Sequence, residues 1–284
     1  MPTFSGSDGT ELHYDLSGDN SGGFPLIVLA GGAAREPSYL GDLGGLATRY
    51  RLVVPHLRGV GRSPLPALVE LASYWRQAED VERLRVHLGI EQVRLLGHSA
   101  GTRLAISYAA QFPDRVADMV LVTPPAADLV QVPYDAEELI DKRRGEPAFD
   151  AAVAAWAAGP DAYDEAAFNA WQLTVAPLGY AAWGPTEQAH AEVGRVSYVA
   201  NRAYFSVAPP QDLPARLGEV AAPALVVGGA ADCVTGVAPV RAMAKLFPAG
   251  EVVLIERCGH YPWVEQPTAF RSAVERFLAA PHPS

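Results

Sequence analysis

The stretch LLGHSAGTRLA, residues 95–105, places a glycine-rich turn between a strand-like apolar run and the start of a helical pattern. Gly97 and Gly101 bracket Ser99, which gives the turn the form Gly-x-Ser-x-Gly. Glycines on both sides allow the backbones to pack closely and the hydroxyl to stand clear. Between a strand and a helix this form is typical of a nucleophilic serine, and we predict that role for Ser99.

Length and composition exclude several classes of protein. The chain of 284 residues has a net charge of −10, with Lys and Arg scattered along it, which argues against nucleic acid and anionic membranes as partners. It has no apolar run long enough for a membrane span and no signal-peptide pattern at its start. The sequence predicts a cytoplasmic protein and leaves the oligomeric state open.

Six short apolar runs bounded by Gly, Pro or Asp predict buried strands, at residues 25–30, 51–55, 92–96, 116–122, 222–229 and 251–256. Three-and-four spacing of apolar residues predicts a helix over 69–89 and another around 270–277. Strands that alternate with helices indicate an α/β fold, with a mostly parallel sheet flanked by helices.

The alternation stops over residues 125–215, which are rich in Ala, Pro, Asp and aromatic residues and contain no convincing strand. We interpret this segment as an inserted helical cap, or lid. The core domain is then expected to comprise residues 1–124 and 216–284.

Two loops that follow predicted strands carry the partners that a nucleophilic serine needs. Asp232 follows the run 222–229, and His260 follows the run 251–256. A histidine would take the proton of the serine hydroxyl, and a carboxylate would orient the imidazole. The chain order Ser99, Asp232, His260 is that of α/β-hydrolases. Asp128, after the run 116–122, is the alternative acid.

The loops around Ser99 also offer backbone donors for an oxyanion hole. An oxyanion hole needs two backbone donors, which we predict to be Ala100, after the serine, and Gly32, after the first long strand.

The loop 57–64 lacks the third glycine of a dinucleotide fingerprint and is interpreted as a loop near the pocket rim. The chain's cysteines, Cys233 and Cys258, are too few for a zinc site and are predicted to be free thiols.

The chain resembles the α/β-hydrolases and, over most of its length, their proline iminopeptidase-like branch. The resemblance rests on five segments: LAGGAARE (29–36), RGVGRS (58–63), GHSAG (97–101), the Asp232 loop and GHYPWVEQP (259–267). It implies an α/β-hydrolase fold, an acyl-enzyme mechanism without cofactor or metal, and Ser99, Asp232 and His260 as the catalytic triad.

The chain departs from that family at positions that bear on substrate. Family members have His-Gly-Gly-Pro-Gly where residues 30–34 read AGGAA, an aspartate in place of His56, and often tryptophan in place of Ala100. The segment NRAYF, residues 201–205, resembles a family segment whose leading glutamate binds the substrate amine. Asn201 occupies that position, so a negative charge that an ammonium group needs has been lost.

Four residues are candidates for contact with substrate: His98 in the serine turn, and Trp171, Asn201 and Tyr204 in the cap. The first hypothesis is a serine hydrolase that cleaves an ester, lactone or amide of a small, partly apolar molecule. The second is an aminopeptidase that removes N-terminal proline, which would need another cap carboxylate. The third is a ligand receptor that keeps the fold without turnover.

Overall fold

A computed structural model describes residues 2–18 and 25–280. Within these residues one sheet is formed by eight strands: β1 Thr3–Ser5, β2 Glu11–Ser17, β3 Leu26–Leu29, β4 Leu52–Pro55, β5 Val93–His98, β6 Val116–Val122, β7 Ala224–Gly229 and β8 Gly250–Ile255. Their spatial order is β1-β2-β4-β3-β5-β6-β7-β8. β1 and β2 pair antiparallel, as do β2 and β4, whereas the pairs from β4 to β8 are parallel.

The described helices lie between and beside these strands. The α-helices are α1 Ala78–Leu88, α2 Ala100–Gln111, α3 Ala136–Asp141, α4 Pro147–Ala158, α5 Glu165–Val175, α6 Pro185–Ala191, α7 Tyr198–Tyr204, α8 Leu213–Leu217, α9 Ala238–Met243, α10 Pro262–Glu265 and α11 Pro267–Ala279. Short 3₁₀ helices occur at Pro37–Leu40, Leu46–Thr48, Val69–Ala72, Pro113–Arg115, Ala176–Gly179 and Ala244–Leu246. None of the helices in this described part is long and apolar enough to cross a membrane.

The central strands of the sheet, β3 to β7, are buried on both faces, as the continuous apolar runs predict. Ile27 and Leu29 of β3 point into an apolar cluster that includes residues of α1 and α2. Leu26 and Val28 point to the opposite face, where α11 contributes Phe270. Alternating side chains of one strand therefore contribute to two separate parts of the core, which leaves only the ends of the strands for a binding site.

The helix predicted over residues 69–89 is shorter in the structure. Residues 69–72 form a 3₁₀ turn, and the α-helix begins only at Ala78. The Ser73 hydroxyl donates to the Glu70 carbonyl at 2.6 Å, and the Tyr74 N–H donates to the Tyr204 carbonyl at 3.0 Å. These bonds use groups that a continuous helix would need, so the prediction was wrong for this first part.

The last predicted strand differs in burial. β8 is the edge strand of the sheet, and its residues Glu251 and Val252 are exposed. A neighbour on one side only leaves part of the strand open to solvent. The expectation of burial on both faces was wrong for this strand.

The segment 125–215, called the cap below, contributes α3 to α7 and lies over one end of the sheet's strands. It has a small apolar cluster of its own, which includes Phe149, Val175 and Leu178 and also contacts Cys233 of the core. Cys233 and Cys258 are both buried free thiols, as predicted.

Candidate active site

Ser99 lies in a strained turn between β5 and α2. Its backbone has φ 50° and ψ −122°, and its N–H donates to the Val122 carbonyl at 2.8 Å. The flanking glycines are required by close approach, because a Cβ on Gly101 would lie 2.1 Å from the Leu29 carbonyl oxygen. A non-glycine residue with positive φ costs free energy and is found where the surroundings hold it. The sequence thus folds so that the serine is held at the end of the central strand.

Asp232 and His260 form a buried hydrogen-bonded pair beyond the ends of β7 and β8. The Asp232 Oδ2 atom lies 2.8 Å from His260 Nδ1 and also accepts from the Thr235 hydroxyl. Burial tends to raise the pKa of Asp232, but the adjacent imidazole and these hydrogen bonds outweigh it and lower the pKa below its usual range. The ionised carboxylate therefore holds the proton of the ring on Nδ1 and leaves Nε2 as an acceptor.

Asp128, the alternative acid, is occupied elsewhere. Its carboxylate binds Arg103 in a two-pronged ion pair, with distances of 2.7 and 3.0 Å. The carboxylate bonded to the His260 ring is therefore that of Asp232, and Asp128 belongs to the α2 side of the site.

A cavity of about 680 Å³ brings the predicted groups to one wall. Ser99, His260, Gly32 and Ala100 all line it, beneath residues of the cap. Within the described residues no hydrogen bond joins the Ser99 hydroxyl to the His260 ring. Such contacts are often long without substrate and shorten when substrate binds.

The loop after β3 and the start of α2 present free backbone donors to this cavity. In the described part of the chain, the N–H groups of Gly32 and Ala100 donate to no protein acceptor. The N–H of Gly31, by contrast, donates to the Tyr39 hydroxyl at 2.6 Å. Two unpaired N–H groups on the wall beside a serine are the arrangement that stabilises an oxyanion.

His98 links the β3 loop to the His260 loop. The Tyr39 hydroxyl, which accepts from Gly31, donates to His98 Nδ1 at 2.8 Å. His98 Nε2 then donates to the His260 carbonyl at 3.1 Å. Burial and the nearby His260 ring hold the pKa of His98 well below its usual value, so the ring is neutral at pH 7. It lines the cavity but is almost completely buried.

The three cap residues predicted to contact substrate do not line the cavity. Trp171 donates through Nε1 to the Ala155 carbonyl at 2.9 Å and belongs to the cap's own cluster. Asn201 and Tyr204 direct their polar groups at the backbone of the core instead, at distances of 2.9 and 2.8 Å. The aromatic residues that do line the cavity are Tyr39, Trp156, Tyr180, Phe205 and Tyr261.

Glu265, which the sequence reasoning did not single out, ties the His260 loop to the cap. Its carboxylate accepts from the N–H groups of Gly259, Tyr261 and, in the cap, Ala181. Burial raises its pKa to about 7 despite these donors. It lies in the quoted segment GHYPWVEQP, at the end of the short helix α10 that follows the histidine, and this position was the signal available in the sequence.

The sequence patterns also did not indicate the charged residues that line the cavity. Arg35, Arg103 and Arg195 line it, against a single carboxylate among the described lining residues, Glu192. Nothing in the sequence spacing places these arginines together, because they come from a loop, from α2 and from the cap.

The loop 57–64 was predicted to lie at the rim of the pocket. The loop 57–64 does not line the cavity, because Arg58 is buried in ion pairs with Asp8 and Asp80. The expectation of a loop at the pocket rim was therefore wrong.

Among the residues that the structure describes, no group of three or more His, Cys, Asp or Glu side chains could hold a metal ion.

Comparison with known proteins relates the whole chain to others. A family model described as alpha/beta hydrolase fold matches residues 25–267. A proline iminopeptidase from Heyndrickxia coagulans is 25% identical over 292 residues, covering 95% of this chain and 96% of that protein. The structure of an esterase from Rhodococcus sp. ECU1013 matches with a TM-score of 0.74 and 26% identity, covering 98% of each chain.

A more distant structure shows how widely this fold is shared. The enol-lactonase from Burkholderia xenovorans LB400 matches with a TM-score of 0.65 over 98% of this chain and 100% of its own, at 22% identity, which is a likeness of fold alone. The family model covers the β3 loop, the serine turn and both loops that carry Asp232 and His260. The chain therefore belongs to the alpha/beta hydrolase fold family, and it is similar to a proline iminopeptidase over nearly its whole length.

Proposed function

We propose that this protein is a serine hydrolase that cleaves an ester, lactone or amide bond of a small, neutral, partly apolar molecule through an acyl-enzyme intermediate. The observation that carries the proposal is the shared cavity, which the Ser99 turn, the His260 ring and the free N–H groups of Gly32 and Ala100 all line. A serine, a base held by a carboxylate and two oxyanion donors are the parts that acyl transfer needs.

Each group has one role in the proposed reaction. His260 Nε2 takes the proton of the Ser99 hydroxyl as the serine oxygen attacks the substrate carbonyl carbon. Asp232 keeps the other ring proton on Nδ1 and stabilises the imidazolium that forms. The N–H groups of Gly32 and Ala100 bind the negative oxygen of the tetrahedral intermediate. His260 then protonates the leaving group. In the second half of the reaction His260 takes a proton from water as water attacks the acyl carbon, and it returns that proton to the Ser99 oxygen as the acid product leaves.

The walls of the cavity disfavour cationic acyl groups. The lining is largely apolar, and the charged groups among its described residues include three arginines and one carboxylate, that of Glu192. Asn201, in place of an amine-binding glutamate, brings no negative charge. An ammonium group buried here would lose its hydration without gaining a carboxylate partner, unless it reached Glu192.

Proline aminopeptidase activity is the second candidate, favoured by the similarity to a proline iminopeptidase over nearly the full length of both chains. In this case Glu192, on the cavity wall, would have to bind the free amine of the substrate. Because Glu192 is exposed, water would screen that interaction more than at a buried site.

The test combines covalent labelling with a substrate panel. A fluorophosphonate probe should label Ser99, and peptide mapping should find no label in Ser99→Ala. Purified protein should hydrolyse p-nitrophenyl esters or lactones faster than prolyl anilides. Ser107→Ala, which removes a serine hydroxyl bonded within α2, is the matched control and should keep both labelling and turnover. Absence of labelling together with absence of turnover would favour a receptor that has kept only the fold.

A further inference from the structure

Helix α7 of the cap contacts both residues that flank the oxyanion position. The Asn201 amide donates to the carbonyl oxygens of Ala33 at 2.9 Å and Gly32 at 3.4 Å. Tyr204, three residues later, donates through its hydroxyl to the Ala100 carbonyl at 2.8 Å. Residues three apart lie on the same face of a helix. One face of α7 therefore holds the β3 loop and the start of α2 together.

The β3 loop needs such support because its backbone is strained. Gly32, Ala33 and Ala34 are consecutive residues with φ of 66°, 42° and 82°. Alanine rarely adopts this conformation, and a strained run persists only where its surroundings determine it. The cap supplies these surroundings, since the Ser197 N–H also donates to the Ala34 carbonyl at 3.2 Å.

The environment of Tyr204 is consistent with a fixed rather than a substrate-facing role. The side chain is buried, and its ring packs against Tyr74 at a centroid distance of 5.5 Å. Burial raises the pKa of its hydroxyl, which stays protonated as a donor. Asn201 likewise uses its amide hydrogens on the loop backbone rather than on the cavity.

We propose that Asn201 and Tyr204 are positioning residues that set the geometry of the oxyanion hole from the cap. Asn201 fixes the loop that carries the Gly32 donor, and Tyr204 fixes the residue that carries the Ala100 donor. The position that resembles an amine-binding glutamate thus acts on the reaction's transition state and not on the substrate's amine. This inference rests on the proposed function, because it assigns the two N–H groups to an oxyanion.

The variants for the test remove one bond at a time. Asn201→Ala removes the amide, and Asn201→Asp keeps its shape but replaces the donor with an acceptor that faces carbonyl oxygens. Tyr204→Phe removes only the hydroxyl. Arg202→Ala, an exposed position on the same helix, is the matched control. Thermal unfolding of each variant verifies that it is folded.

The measurement compares an ester with the thionoester of the same acyl and leaving groups. Sulfur accepts hydrogen bonds poorly, so a well-formed oxyanion hole favours the oxygen substrate. We expect kcat for the ester to fall about 10- to 100-fold in Asn201→Ala and Asn201→Asp, less than the about 10²–10³ lost when a donor itself is removed. The thionoester should change much less, KM should be nearly unchanged, and Tyr204→Phe should show the same pattern more weakly.

The outcomes separate this inference from the proposed function. Equal losses for both substrates, a change in KM alone, or no change in folded variants would overturn the positioning role while wild-type turnover stands. A wild-type protein that neither turns over esters nor labels at Ser99 would overturn the proposed function. A lowered ratio of ester to thionoester turnover, absent from Arg202→Ala, supports the inference.

Discussion

At the residue scale, the proton chemistry of the site depends on how single side chains are held. Asp232 accepts from the Thr235 hydroxyl and from the N–H groups of Val234 and Thr235, in addition to the His260 ring. Because hydrogen-bond donors surround the Asp232 carboxylate, they fix its orientation and favour its ionised form. Burial lowers the pKa of His98, one residue before the serine, so this neutral ring adds no positive charge beside His260.

Replacement of Asp232 by asparagine should nearly abolish turnover without preventing folding. The amide cannot hold the Nδ1 proton of His260 as a carboxylate does, so the ring would adopt the wrong tautomer. We expect kcat to fall about 10⁴-fold for a p-nitrophenyl ester. Asp128→Asn is the matched control and should change kcat less than about tenfold, because that carboxylate binds Arg103. The opposite ranking would assign the acid to Asp128.

At the scale of elements, the site depends on the close approach of β3 and α2. The start of α2 comes so near to the end of β3 that a methyl group at residue 101 would meet both the Leu29 and Ala30 carbonyl oxygens. This contact places the Ala100 N–H opposite the loop that carries Gly32. In the proposed function, the geometry of the oxyanion hole would therefore follow from packing between a strand and a helix, as well as from the cap contacts that we propose.

Gly101→Ala tests this contact. Since the added Cβ would lie 2.1 Å from backbone oxygen, the helix must shift away from the strand. We expect the free energy of unfolding to fall by about 1–3 kcal/mol or more, with a large loss of kcat. In Gly184→Ala the added methyl group meets only the end of the Glu187 side chain, so this control should be nearly neutral. Urea denaturation gives the comparison, and equal stability of the two variants would contradict the packing argument.

Glu265 gives the His260 loop a predicted dependence of stability on pH. Its folded pKa of about 7 lies above the ordinary value of 4.5, so the folded protein binds this proton more tightly than the unfolded chain. The resulting stability is fully present below pH 4.5 and is lost as the pH rises through about 7. Between about pH 5 and pH 8, wild type should lose about 1–3 kcal/mol relative to Glu265→Gln.

Denaturation curves at both pH values measure that difference. Glu256→Gln removes an exposed carboxylate and controls for the change in net charge. A gap between wild type and Glu265→Gln that stays constant with pH would show that Glu265 is ionised throughout the range.

Sequence patterns correctly predicted the elements whose structure is decided by residues close together in the chain. The run 116–122 is β6 to the residue, and the glycines around Ser99 lie where backbone contact requires them. The patterns failed where long-range contacts decide, as at Tyr74, whose N–H binds the cap instead of continuing a helix. The side chains of Asn201 and Tyr204 point where the rotation of α7 about its axis, relative to the core, directs them. The identities of these residues do not specify that rotation.

At the scale of the whole molecule, charge is distributed unevenly between the surface and the cavity. The chain carries a net charge of −10, yet among the described residues that line the cavity, histidines aside, the charged side chains are three arginines and one glutamate. Arg103 is paired with Asp128, and Arg35 donates to cap carbonyls, so their charges are partly used in holding the site together. The cavity as a whole remains a poor environment for a cation.

Substrate preference should follow from that charge distribution. We expect neutral p-nitrophenyl esters to be hydrolysed with a kcat/KM at least about tenfold above that of prolyl p-nitroanilide, because a buried ammonium without a carboxylate loses more than about 1.4 kcal/mol of hydration. The leaving groups differ in reactivity, so prolyl and N-acetylprolyl p-nitroanilide, which share one leaving group, form the decisive pair. The acetylated, neutral substrate should be at least as good. A strong preference for the free amine that disappears in Glu192→Gln, with ester turnover unchanged, would instead establish an amine site on the cap and favour the aminopeptidase.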